Sequence, residues 1–128
     1  MAARFLIDTD VLIDYLRGRE RAAEFLEDLK GELIVSSITV AELYSGVRGV
    51  EEERALDQFL QAFLIVEVDQ VIAKKAGLYR HEFSKSHGTG LADALIAASA
   101  ESRHAILVSL NRRHFPMVKG MKVPYSQD

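Results

Sequence analysis

Acidic side chains lie inside or beside several apolar segments of this sequence. Asp8 and Asp10 interrupt the segment FLIDTDVLIDYL, Glu42 lies in SSITVAELYSGVRG, and Asp93 lies in GLADALIAASAES. An ionised carboxylate that is buried without a partner costs free energy. Carboxylates directed at one point also repel one another and raise each other's pKa values. A divalent cation relieves both effects, so this set of acids favours a metal site.

The residue types at this predicted site point to one kind of chemistry. Mg²⁺ and Mn²⁺ prefer oxygen ligands and keep open positions for water or substrate. Such ions bind phosphate oxygens, lower the pKa of a bound water and offset charge on a leaving oxygen. The pattern therefore predicts Asp8, Glu42 and Asp93 as metal-binding and catalytic residues, with Mg²⁺ or Mn²⁺ as the cofactor of a phosphodiester hydrolase.

Each acid taken alone also has a simpler interpretation. Asp8 or Asp10 would cap the first helix, and Asp10 fits that role well because the helical pattern begins just after it. Asp14 lies one turn into this helix and is expected to face water. Glu42 alone is typical of an exposed surface glutamate, and Asp93 would lie in a first helical turn, where the helix dipole favours an acid.

The segment ILVSLNRRHF supplies further polar residues just beyond a strand. Asn111 offers a neutral oxygen to a metal-bound water, and Ser109 offers a hydroxyl to a carboxylate or a phosphate. Arg112 and Arg113 are good bidentate partners for RNA phosphates. We predict Asn111 as catalytic and the other three as substrate-binding, although the same residues also describe a capped turn with solvated arginines.

Strand-like and helix-like segments alternate along the chain. Apolar, β-branched runs of strand length lie at 4–7, 33–35, 64–68 and 106–108. Helical patterns lie near 11–17, 20–30, 38–47, 51–63, 70–86 and 91–103. Strands separated by helices imply right-handed crossovers and a mostly parallel sheet. We predict a single domain over residues 1–128, a three-layer α/β/α sandwich with four or five short strands and ligands at their carboxyl ends.

The composition limits the compartment and the partners. With no cysteine among 128 residues, disulfides and thiolate metal sites are excluded, and a reducing compartment is expected. No apolar run approaches the roughly 20 residues of a membrane span, and no signal-peptide pattern is present, so we expect a cytoplasmic protein. The net charge of −3 argues against a broad basic surface, but acids that hold a cation leave a nucleic-acid enzyme possible.

Four segments in this order resemble the PIN-domain ribonucleases, and within them the VapC-type toxins of prokaryotic toxin–antitoxin pairs. They are FLIDTDVLIDYLRG, IVSSITVAELYSGV, LADALIAASA and ILVSLNRRHF. The resemblance implies a PIN-like fold and a metal-dependent endoribonuclease acting on RNA, with Asp8, Glu42 and Asp93 as its acidic site. It also implies a homodimer and a cognate VapB-type antitoxin that wraps the toxin and blocks its site.

The last segment departs from the family pattern. His114 stands where the family often has a further aspartate, and Ser109 stands where threonine is more frequent. The fourth ligand is therefore open: Asn111 would act through water, or a second metal would bind weakly. His114 would alternatively face away while Phe115 anchors the turn in the core.

Two apolar or basic stretches have two interpretations each. One set of apolar residues either forms a surface for the antitoxin or belongs to the core: Leu12, Leu16, Phe25, Leu29, Phe59 and Phe63. One basic and aromatic segment either guides single-stranded RNA or is a solvated helix face with two rings packed inward. Its residues are Tyr79, Arg80, His81, Phe83, Lys85 and His87.

Three other functions compete with the ribonuclease. A phosphoacceptor signalling module would combine the acidic strand end at Asp8 and Asp10 with Asp69 as nucleophile and with Lys122 near Pro124. It leaves Glu42 and Asp93 without a role. A phosphatase would use Asp8 as nucleophile and Asp10 as acid, but no phosphate-holding lysine motif is evident. A PIN-fold binding module without catalysis would follow if the altered fourth position had abolished activity.

Overall fold

The structure is a computed structural model that describes residues 2–126, so residues 1, 127 and 128 of the predicted domain lie outside the described part. In chain order the elements are β1 (Arg4–Ile7), α1 (Thr9–Leu16), α2 (Glu20–Asp28), β2 (Glu32–Ser36), α3 (Ser37–Ser45), α4 (Val50–Leu60), β3 (Leu64–Val66), α5 (Gln70–His87), α6 (Leu91–Ser102) and β4 (Ile106–Val108). A 3₁₀ turn at Arg112–His114 follows β4. No helix within residues 2–126 is long and apolar enough to cross a membrane.

The strands form a parallel sheet with β1 near its centre. The order is β3-β2-β1-β4, and Leu6 of β1 pairs with Ile34 of β2 on one side and with Leu107 of β4 on the other. The C-terminal segment adds one isolated parallel bridge, between Val108 and Lys122, in place of a complete fifth strand. The predicted α/β fold with a short parallel sheet is confirmed.

Alternation along β1 divides the core between the two faces of the sheet. Leu6 packs with side chains of α5 and α6, including Ala76 and Ile96. Its neighbour Ile7 faces the opposite way and packs with side chains of α1 to α4, including Leu12. Successive side chains of a strand point to opposite faces, so one buried strand fixes both helical layers. The result is the predicted three-layer sandwich.

Two strands lead directly into helices through polar caps. Asp8 is the N-cap of α1 and Ser36 is the N-cap of α3, where its hydroxyl accepts a hydrogen bond from the Ile38 amide at 3.3 Å. The expectation that Asp10 fills the capping role was wrong, because the helix begins at Thr9, immediately after the strand. This continuity places both caps at the carboxyl edge of the sheet.

A buried hydroxyl pair joins the two helices that carry Glu42 and Asp93. Ser99 of α6 lies with its Oγ 3.0 Å from Ser36 Oγ at the start of α3, and both residues are fully buried. Ser99 also donates to the Leu95 carbonyl at 2.7 Å. A buried polar pair of this kind needs both partners in place, so it fixes α6 relative to α3.

The two stretches with open interpretations lie mostly against the core. Leu12 is fully buried, whereas Leu16 is 46% exposed. Half-buried side chains packed on the α1–α4 core are Phe25, Leu29, Phe59 and Phe63. On α5, Tyr79 and Phe83 are half-buried while the basic residues between them face solvent, in agreement with the solvated-face interpretation.

Candidate active site

Asp8 lies at the carboxyl end of β1 and is only 6% exposed. Its Oδ1 accepts a hydrogen bond from the Thr9 amide at 2.7 Å, and its Oδ2 accepts one from Ser109 Oγ at 2.7 Å. The Asp8 amide donates to the Val108 carbonyl at 2.9 Å. The carboxylate is therefore held from β1, α1 and the end of β4 together.

The burial of Asp8 changes its acidity. Loss of water around the carboxyl, followed by the nearby charge of Asp10, raises the pKa of Asp8 from 3.8 to about 7. The hydrogen bonds from Ser109 and Thr9 oppose this rise, and the charge of Asp93 adds to it. A carboxyl in this position is stabilised in its ionised form by any cation that reaches it.

Asp10 is a member of the same cluster, although the sequence pattern did not predict it as a metal-binding residue. Its Oδ1 accepts from the Val11 amide at 2.7 Å, and its Oδ2 accepts from the Leu110 amide at 3.1 Å. Ser109 Oγ is 3.4 Å from the same Oδ2, farther than from Asp8. Burial raises the pKa of Asp10 as well. The sequence signal for this role of Asp10 was the segment DTD, in which two aspartates lie two residues apart.

Glu42 reaches this region through Thr9. Its Oε1 accepts a hydrogen bond from Thr9 Oγ1 at 2.6 Å, and the glutamate is half-buried rather than exposed. The residue that holds Asp8 through its amide thus also holds Glu42 through its hydroxyl. Helix α3 brings Glu42 to the carboxyl edge because it starts directly from β2, the neighbour of β1.

Asp93 lies in the first turn of α6, as the helix-start interpretation expected, and it also faces the acidic cluster. Its Oδ2 accepts from the Gly90 amide at 3.0 Å. The charge of Asp93 is one of the causes of the raised pKa of Asp8. Capping and participation in the site are therefore compatible for this residue.

His114 faces the site, so the alternative in which it turns away was wrong. Its Nδ1 is 3.2 Å from Asp93 Oδ2 and 2.7 Å from Asn111 Nδ2. Thr89 donates to the His114 carbonyl at 2.9 Å, which fixes the turn. Phe115 is buried beneath it, as expected for an anchor. A nitrogen base thus occupies the place beside Asp93.

The remaining predicted residues divide between the inside and the surface. Ser109 is fully buried and its hydroxyl is engaged by Asp8, so this placement argues against the predicted contact with substrate. Asn111, Arg112 and Arg113 are exposed on the turn beside the site, where their predicted roles stay predictions. Asn111 also donates its amide to Ser109 Oγ at 3.1 Å, which connects the turn to Asp8.

The described side chains form a connected polar edge rather than a closed cage. The charges of Asp10 and Asp93 both act on Asp8, and Glu42 is linked to Asp8 through Thr9. Within residues 2–126 no three histidine, aspartate or glutamate side chains are grouped closely enough to hold a metal ion by themselves. The fold and this edge define a class of protein: an α/β protein with an open parallel sheet, which binds its ligand at the carboxyl ends of the strands.

Comparison with known proteins identifies the family. Residues 5–120 match the PIN domain. Two relatives from Mycobacterium tuberculosis, Ribonuclease VapC10 and Ribonuclease VapC19, are 38% and 40% identical to this chain over 94% of its length, which corresponds to 92% and 98% of theirs. A toxin-antitoxin complex from Klebsiella pneumoniae superposes with a TM-score of 0.83 at 30% identity, covering 94% of this chain and 98% of that one. The chain belongs to the PIN-domain family and, within it, to the VapC proteins, as the sequence motifs indicated.

The signalling-module alternative is not supported by the placement of its residues. Asp69 is the N-cap of α5, where it accepts from the Ile72 amide at 2.9 Å. It follows β3, which β2 separates from β1 and Asp8. Lys122 directs its ammonium over the Phe25 ring, 5.8 Å from the ring centroid. The aspartate and lysine that this alternative requires have other partners.

The raised pKa of Asp8 predicts a pH-dependent stability for the metal-free protein. Between 3.8 and about 7 the folded protein keeps a proton that the unfolded chain releases, so stability falls as pH rises through this window. Asp8→Asn keeps an oxygen for the Thr9 amide but carries no charge. At pH 8 it should be more stable than wild type by about 1–3 kcal/mol, since one pKa unit is worth about 1.4 kcal/mol.

Urea denaturation from pH 4 to pH 8, with chelator present, measures this effect. Asp8→Asn should show a shallower loss of stability with pH than wild type, and the exposed Asp28→Asn should keep the wild-type slope. An Asp8→Asn protein that is less stable than wild type at pH 8 would contradict the assignment of a strained carboxylate.

Proposed function

We propose that this protein is a divalent-metal-dependent endoribonuclease and the toxin of a type II toxin–antitoxin pair. The observation that carries the proposal is Asp8, a carboxyl buried at the carboxyl end of the central strand with other acids around it. The relatives named as VapC ribonucleases and the fold shared with a toxin-antitoxin complex support the same function. Helix capping accounts for Asp8 and Asp93 one at a time, but it gives no reason to bury Asp8 beside the charges of Asp10 and Asp93.

The donor set fits Mg²⁺ or Mn²⁺. Every acidic group at this edge offers oxygen, and both ions bind oxygen ligands. Mg²⁺ commonly keeps several of its waters, so a closed cage of protein ligands is not required. Asp8, Glu42 and Asp93 are the residues that would hold the ion. When bound, it supplies an activated water and offsets negative charge on the phosphate.

The other residues at the edge have distinct tasks in this proposal. Ser109 orients Asp8 from behind, through the 2.7 Å hydrogen bond to Oδ2. Asn111, exposed at the start of the turn, orients the attacking water with its side-chain oxygen. Arg112 and Arg113 lie exposed on the same turn, and they bind RNA phosphates because guanidinium groups match phosphate geometry.

RNA cleavage tests the proposal. Structured and unstructured RNAs are incubated with Mg²⁺, with Mn²⁺ and with chelator. Wild type should cleave only with metal, and Asp8→Asn and Asp93→Asn should each reduce the rate by about 100-fold or more because the ion loses a ligand. Asp69→Asn is the matched control, an aspartate cap far along the sheet, and it should keep wild-type activity.

The same experiment separates the competing functions. Cleavage that persists in chelator or in both site variants would contradict the proposal. If acetyl phosphate phosphorylates the wild-type protein and Asp69→Asn abolishes this labelling, the signalling module would be favoured. RNA or antitoxin binding without any cleavage would favour the inactive PIN-fold module.

A groove beside Glu42 is the proposed binding site of the antitoxin. It has a volume of about 670 Å³ and is walled by α1, α3 and α4. Its lining combines apolar side chains with the charged residues Arg17, Arg48 and Glu52. Leu16 contributes exposed apolar surface. A partner segment in this groove lies next to Glu42, so it would block access to the acidic edge. The homodimer implied by the family resemblance stays a prediction.

Leu16→Glu tests this binding site. A charge in an apolar groove should weaken inhibition by the cognate antitoxin by about tenfold or more, because interface anchors carry most of the binding energy. The readout is the antitoxin concentration that halves RNA cleavage. Val71→Glu, a similar change at an exposed residue of α5, should leave that concentration unchanged; equal effects of both variants would place the antitoxin elsewhere.

A further inference from the structure

Two buried threonine hydroxyls lie beneath Glu42. Thr9 is 8% exposed and Thr39 is fully buried. The Thr9 Oγ1 lies 2.6 Å from Glu42 Oε1 and 3.0 Å from Thr39 Oγ1. Neither hydroxyl has a role in the sequence analysis or in the chemistry proposed above. Their position directly behind a predicted metal ligand calls for a physical explanation.

The number of protons fixes the direction of this chain of hydroxyls. A threonine hydroxyl has one proton to donate, and an ionised carboxylate only accepts. The Thr9 proton therefore goes to Glu42, which is also the nearer partner, and Thr39 donates its proton to Thr9. A donor behind the donor polarises Thr9 and strengthens its bond to the carboxylate.

Thr9 also holds Asp8, but through a different group. Its backbone amide donates to Asp8 Oδ1 at 2.7 Å, whereas its side chain donates to Glu42. One residue thus sets the relative placement of two acids, one at the end of β1 and one in α3. A substitution that removes the hydroxyl at position 9 removes the contact to Glu42 and leaves the amide contact to Asp8 in place.

Glu42 has other possible directions. It also lines the groove that contains Arg17 and Arg48, whose guanidinium groups attract a carboxylate. We propose that Thr9, supported by Thr39, is a positioning residue that turns Glu42 toward the acidic edge and away from the groove. This inference rests on the proposed function, in which Glu42 is a metal ligand.

Manganese binding, followed by calorimetry or by electron paramagnetic resonance, tests the inference without reference to activity. Thr9→Val keeps the shape of the side chain and removes the hydroxyl. It should weaken Mn²⁺ binding by about 10-fold to 100-fold, the range for residues that orient a metal ligand. Thr9→Ser keeps the hydroxyl and should bind Mn²⁺ within about threefold of wild type, and Thr39→Val should fall between the two.

A double-mutant cycle distinguishes positioning from packing. If Thr9 acts through Glu42, Thr9→Val should add little to the loss of Mn²⁺ affinity already caused by Glu42→Gln. Circular dichroism checks that each variant is folded. Should Thr9→Val misfold, the comparison of Thr9→Ser and Thr39→Val with wild type decides the question.

The possible failures are distinct. Wild-type protein that binds no Mn²⁺ would overturn the proposed metal site and this inference together. Three other results would overturn the positioning role alone. The first is Mn²⁺ affinity in Thr9→Val and Thr39→Val that equals that of wild type. The others are equal losses of Mn²⁺ affinity in Thr9→Val and Thr9→Ser, and additive losses in the double-mutant cycle.

Discussion

The buried carboxyl of Asp8 is the constraint on which the rest of the site depends. A parallel strand that ends in an acid exposes the core to a charge, and that charge must be hydrogen-bonded or paired. Here the Thr9 amide and the Ser109 hydroxyl supply the hydrogen bonds. Desolvation and the charge of Asp10 still raise the Asp8 pKa to about 7. The protein tolerates a cost in stability at the place where a cation would remove it, as functional sites commonly do.

The fold brings the other groups to this carboxyl by a simple topological rule. Strands β1, β2 and β4 are parallel neighbours, so their carboxyl ends lie side by side. The helices or turns that follow them begin at one edge, which gathers residues far apart in the chain. The hydroxyl pair between Ser36 and Ser99 then sets the separation of the two helices that carry Glu42 and Asp93. Packing and chemistry share the same contacts.

Much of this architecture was accessible from the sequence because it depends on local patterns. Strand positions followed from short β-branched runs, and helices followed from their periodicity. The acids were recognised because a charge in an apolar segment is unusual, as with Asp8 and Asp93. For the cap of α1 the pattern left both Asp8 and Asp10 open and suited Asp10 well, whereas the cap is Asp8. A strand that runs directly into a helix leaves no loop to mark the boundary.

The contacts that the sequence did not predict are those between side chains of distant elements. Asp10 accepts from the Leu110 amide, which becomes visible only when β4 is placed beside β1. The orientation of His114 toward Asp93 depends on a turn fixed by Thr89. Thr9 reads as an ordinary β-branched residue of the segment until α3 places Glu42 above its hydroxyl. Such pairings depend on tertiary placement, which periodicity and composition do not encode.

The most direct test of the central claim is the anomalous scattering of Mn²⁺ in crystals of the wild-type protein. We expect an anomalous peak at the carboxyl edge of the sheet, with oxygens of Asp8 and Asp93 both at about 2.1 Å, the distance typical of such ions. A crystal saturated with Mn²⁺ that shows peaks only elsewhere, or a peak that contacts neither carboxylate, would contradict it.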